Sequence, residues 1–126
     1  RSLEPDVISM SIRRLPRNES VIPRHYDVHL TTDLNSGQFC GSVKLDFHLE
    51  HDDQNSIKLD TSHLQIDLRS ISVQMLPSLS PVRCTAEHHQ RADSLEISLT
   101  DNERFSRRIP YRLTINSFSG HLTTDQ

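Results

Sequence analysis

Residues 39–50, FCGSVKLDFHLE, alternate without a break between apolar or small and polar side chains. Phe39, Gly41, Val43, Leu45, Phe47 and Leu49 fall on one face, and Cys40, Ser42, Lys44, Asp46, His48 and Glu50 on the other. A period of two excludes an amphipathic helix here and predicts a half-buried strand. A strand of this length needs partners, and the stretch before it offers one. In HYDVHLTT, residues Tyr26, Val28 and Leu30 alternate with Asp27, His29 and Thr31, and the turn signal DLNSGQ joins the two runs. They read as a hairpin.

The rest of the chain repeats the pattern in shorter pieces. SIKLD, HLQIDLRSISVQML, VRCTA, SLEISLT and YRLTINSFSG each carry apolar residues at every second position. Two phase slips interrupt them. Leu64, Ile66 and Leu68 step to Ile71, Val73 and Met75, which predicts a bulge or bend near Arg69 and Ser70; Ile115 steps to Phe118, which predicts a second bulge beside Ser117. With PSLSP breaking the ladder between them, the expected fold is all-β: an antiparallel β-sandwich, or a curved saddle-like sheet, of seven or eight strands. Residues 1–20 keep no steady period beyond a short piece at VISMSI, so they read as an N-terminal arm ahead of one domain at 21–126.

Composition limits what such a fold can hold. Apolar residues make up 33% of the chain, aromatics 5%, and Trp is absent, against roughly 45–50% apolar in ordinary domains. A core this lean fits two layers with one wet face each, or a domain that leans on a neighbour. The formal charge of −3, from 14 basic and 17 acidic residues, leaves no sustained basic stripe, so no nucleic acid partner is expected. The clusters Arg13, Arg14, Arg17 and Arg104, Arg107, Arg108 read as solvated flanks of strands. No run has the length of a membrane helix, so no direct membrane insertion by this chain is expected.

Reactive residues fail on spacing. His25 and His29 sit i, i+4 on a strand, which separates their Cα atoms by roughly 13 Å, too far to share a zinc ion. His48 and His51 fall on opposite faces if the strand continues, and His88 and His89 lie in what reads as a polar loop, AEHHQRAD. No Gly-x-Ser-x-Gly elbow occurs, and Gly37, Gly41 and Gly120 are too few for a phosphate-binding loop. No catalytic residue, metal ligand or cofactor is expected. Cys40 alternates outward and Cys84 inward, so a disulfide between them requires a bulge to realign the pair; free thiols are the simpler expectation. Asn18-Glu19-Ser20 is an N-glycosylation sequon.

The words RLPRNESVIPRHYDVHLTTDLNSGQFCGSVKLDFHLE, SIKLDTSHLQI and YRLTINSFSGHLT, in that order, resemble the N-terminal β domain of the M1 family of zinc aminopeptidases over residues 14–123. The resemblance rests on Arg-Leu-Pro, Pro-x-His-Tyr-Asp, Phe-x-Gly-x-Val and a late Tyr-x-Leu-x-Ile, with Ser117 inserted into the family's Asn-Phe-Ser-Gly. It implies a saddle-like domain that flanks a catalytic domain, and a chain that stops before the family's Gly-Phe-Tyr. The family's HExxH and Gly-x-Met-Glu-Asn motifs, which carry its zinc and substrate chemistry, do not occur in the sequence. Three readings follow: a non-catalytic structural or protein-interaction module; a free-standing extracellular module that binds a protein partner or dimerises through a sheet face or edge strand; or a piece of an active zinc aminopeptidase. The expected interaction face is Cys40, Ser42, Lys44, Asp46 and His48. The expected setting is extracellular or at the cell surface, with the cytoplasm as the alternative.

Overall fold

A computed structural model of the chain describes residues 21–33, 35–52, 54–61 and 64–121. The arm at 1–20, with VISMSI, Arg13, Arg14, Arg17 and Asn18, lies outside the described residues. The hairpin forms as the alternation predicts, from β1 (Val21–Asp33) and β2 (Gln38–Leu49). Its turn is closed by the Gly37 N–H, which donates to the Asp33 carbonyl at 2.9 Å with Gly37 at φ 72°. The left-handed conformation suits the residue without a Cβ. The Asp33 carboxylate accepts from the Asn35 N–H at 3.0 Å, which holds its pKa below the ordinary value.

The chain then builds β3 (Ser56–Asp60), β4 (Gln65–Ile66), β5 (Ile71–Met75), β6 (Ser80–Val82), β7 (Cys84–His89), β8 (Ser94–Leu99) and β9 (Tyr111–His121). All pairings are antiparallel. The larger sheet runs β1-β2-β9-β5-β6, with β4 also paired to β9, and the smaller runs β3-β8-β7. The fold is all-β, and its described strands number more than eight because two expected strands are divided. HLQIDLRSISVQML becomes β4, a 3-10 turn at Leu68–Ser70 and β5. VRCTA does not form one strand: Val82 pairs in the larger sheet and Cys84 in the smaller, so the chain changes sheets at Arg83.

Both phase slips fall at one place. β9 pairs with β5 up to Ile71–Ile115 and with β4 from Ile66–Phe118. On its other side the register with β2 jumps from Val43–Ile115 to Gly41–Phe118, which leaves Asn116 and Ser117 bulged opposite Ser42. The inserted Ser117 is therefore the extra residue of a β-bulge. Its N–H donates to Ser70 Oγ at 3.0 Å, its carbonyl accepts from the Asp67 N–H at 3.0 Å, and Ser70 Oγ donates to the Asp67 carbonyl at 2.7 Å. The 3-10 turn and the bulge thus satisfy each other's backbone groups, and Ile115 and Phe118 both point inward.

The inward rows meet between the sheets. Phe39, Val43, Leu45, Phe47, Leu113 and Ile115 of the larger sheet and Ile57, Leu59, Leu95 and Ile97 of the smaller are all buried. The loop after β8 adds Phe105, whose charged neighbours hid it from the periodicity. It is 1% exposed and meets Tyr111 edge-on at 5.0 Å between ring centroids and Phe47 at 6.3 Å. The loop is pinned by the Phe105 N–H to the Gln54 carbonyl at 2.7 Å and by the Ser106 N–H to Tyr111 Oη at 2.8 Å.

Candidate interaction surface

The outer face of the larger sheet is made by the residues that alternate with the core rows. On β2 these are Cys40, Ser42, Lys44, Asp46 and His48. The register sets Thr31, His29, Asp27 and His25 of β1 beside the first four, and Ser119, Thr114 and Arg112 of β9 beside Cys40, Lys44 and Asp46. Cys40 and Lys44 are exposed, whereas Ser42, Asp46 and His48 are half-buried. The five residues share a face, but only part of it is open to a partner.

Asp46 is already engaged. Arg112 donates to both its carboxylate oxygens, from Nε at 2.7 Å and Nη2 at 3.1 Å, with the side chains 16% and 28% exposed. That fork is the strong geometry for a carboxylate, and it pushes the Arg112 guanidinium above its usual pKa. Beside it opens a cavity of about 360 Å³ lined by Arg24, His25, Asp46, Leu76, Pro77 and Pro110. Arg24 stands there because the β1–β2 register shifts between Pro23 and His25. The lining sets the Arg24 guanidinium, the His25 imidazole and the Asp46 carboxylate beside Leu76 and two prolines. Nearby, His48 Nδ1 is buried without a hydrogen-bond partner.

The remaining candidates are scattered. Cys40 and Cys84 are both free, one on the outer face of the larger sheet and the other on the inner face of the smaller, so the disulfide considered between them does not form. Burial pushes the Cys84 thiol up. His88 and His89 are not in a polar loop: both belong to β7. His88 is turned inward, where its Nε2 lies 3.0 Å from the hydroxyl of buried Thr61, and His89 faces outward, 3.2 Å from Glu96. The loop readings failed because a two-residue histidine run hides the alternation of Cys84, Ala86 and His88. His25 and His29 are exposed on β1, and His51 lies beside Glu50 at 3.9 Å. Among the described residues no three His, Cys, Asp or Glu side chains converge as a metal site. Arg107 is held by Asp52, which accepts from its N–H at 2.9 Å and lies 3.4 Å from Nε.

Residues 22–126 match the peptidase M1 N-terminal domain. The chain belongs to this family. Comparison with curated proteins yields no match. The matched region is the N-terminal domain of M1 peptidases rather than their catalytic domain. In this M1 N-terminal domain the residues that carry the family likeness hold the fold. Phe39 lies over Gly120, where a Cβ would come within 2.5 Å of its ring. A Cβ on Gly41 would fall on the His29 carbonyl oxygen. Tyr111 stacks on Phe47 at 5.8 Å. These words encode packing and close backbone approach.

Proposed function

We propose that this M1 N-terminal domain is a non-catalytic structural module that presents the outer face of its larger sheet to another protein surface, and that it works outside the cell or at the cell surface. The observation that carries the reading is the division of the larger sheet: its inner rows close the core against β3-β8-β7, while Cys40 and Lys44 of its central strand stay exposed on the opposite face. The lean apolar content supports a domain that relies on a neighbour. The exterior setting is supported by the Asn18 sequon. Asp46, His48 and Ser42 frame the contact, and Arg112 holds the Asp46 carboxylate in place through two hydrogen bonds.

The test is amine cross-linking of the native protein followed by mass spectrometry. Cross-links from Lys44 to a second polypeptide, or to a distant region of the same one, are expected; Lys44 modified only as a dead end, with cross-links clustering elsewhere, overturns the assignment of this face. A glycosidase-sensitive shift in mass of the native protein checks the exterior setting. The isolated chain is expected to release no amino acid from aminopeptidase substrates above background.

A further inference from the structure

The open edge of the larger sheet carries an inference that goes beyond the outer-face role just proposed: a second contact surface, with its own partner. β1 ends the order β1-β2-β9-β5-β6, and among the described residues no strand pairs beyond it. Long open edges are blunted in natural proteins by proline, bulges or lysine. Here Pro23 and the register shift beside it protect only the start, and residues 25–33 run regularly with neither device.

The backbone of this stretch has a defined direction. The His29 carbonyl points at β2, since it occupies the place of a Gly41 Cβ. Peptide groups alternate along a strand, so the N–H and C=O of Val28 and Leu30 face the open edge. The side chains fall into two rows: Tyr26, Val28 and Leu30, half-buried and packed against the core, and Asp27, His29 and Thr31 on the outer face.

We infer that β1 pairs antiparallel with β1 of a second copy, about a two-fold axis through Val28, so that the two larger sheets become one. This register sets Val28 on Val28, Tyr26 on Leu30 and Asp27 on His29 of the other copy. The apolar row is continued across the edge, and the Asp27 and His29 side chains, already 3.4 Å apart within one chain, are set against the same pair inverted. Neighbouring registers do worse. An axis at Tyr26 also opposes Asp27 to an imidazole, that of His25, but it runs the pairing into Pro23, Arg24 and the register shift there. An axis at Asp27 opposes Asp27 to itself, one at Leu30 opposes Asp27 to Asp33, and one at His29 stacks the two imidazoles and leaves Asp27 beside Thr31. The charge complementarity within β1 therefore selects a second copy, and one register of it.

The test uses the full chain with Cys40→Ser, carrying either Asp27→Cys or His29→Cys. Both substitutions are at exposed positions and leave the core untouched. In the inferred register residues 27 and 29 of opposite copies form a non-hydrogen-bonded pair with Cα atoms about 4.5 Å apart, within disulfide reach. Mild oxidation of an equimolar mixture is expected to give a band at twice the 14.5 kDa chain mass, at least tenfold stronger than from either variant alone. A strong band from His29→Cys alone overturns the register, and no band from any sample, with a monomer in light scattering, overturns self-pairing. The latter result together with Lys44 cross-links to a different polypeptide would sink this inference while leaving the proposed interaction role standing.

Discussion

The two ends of β2 solve the same packing problem by opposite means. At the Phe47 end the sandwich is filled by large rings, Phe47, Phe105 and Tyr111, one of them delivered by a loop. At the Phe39 end it is closed by missing side chains: Gly41 admits the His29 carbonyl, and Gly120 makes room for Phe39. The first end gains stability from buried aromatic area, the second from backbone approach that a single methyl group would forbid. A chain with few aromatics can therefore still close a two-layer core, with three rings gathered at one end and glycines at the other making room for the Phe39 ring and a backbone carbonyl.

That contrast can be broken at either end. The largest effect is expected for Phe105→Ala, which empties the ring cluster and removes the reason for the loop to dock; a loss of about 3–5 kcal/mol is expected in denaturant unfolding. A loss under about 1 kcal/mol would show that the loop does not contribute to the core. Gly120→Ala should cost about 1–3 kcal/mol by forcing buried Phe39 aside. The companion variant Phe39→Leu in that background should recover part of the loss, because it removes the ring atoms that the new methyl meets. Ser70→Ala tests the stitch between the 3-10 turn and the bulge: leaving the Ser117 N–H without its acceptor should cost about 1 kcal/mol. Hydrogen exchange at Ser117 should quicken in that variant while exchange at Leu113 stays slow.

Much of this was legible in the sequence, and the limits have physical causes. Unbroken alternation gave away the hairpin, and each phase slip marked an irregular backbone. The sequence could not say that the two slips are one device, since Ser70 and Ser117 meet only through pairing of distant strands. Phe105 was hidden because a lone aromatic among Glu103, Arg104, Arg107 and Arg108 has no period of its own. The change of sheet at Arg83 was hidden for the reverse reason: Val82, Cys84 and Ala86 keep perfect alternation while their hydrogen-bond partners change. On the candidate surface, alternation placed Cys40, Ser42, Lys44, Asp46 and His48 together. It could not reveal that Arg112, sixty-six residues on, occupies the Asp46 carboxylate.

The central claim is that this M1 N-terminal domain works in contact with another protein surface. It is tested most directly by gel filtration of the native source without denaturant, with the fractions blotted for this chain under reducing and non-reducing conditions. The account predicts elution well above 14.5 kDa, whether the added mass is further polypeptide, a distinct partner or a second copy. Elution at 14.5 kDa across a wide concentration range would contradict it.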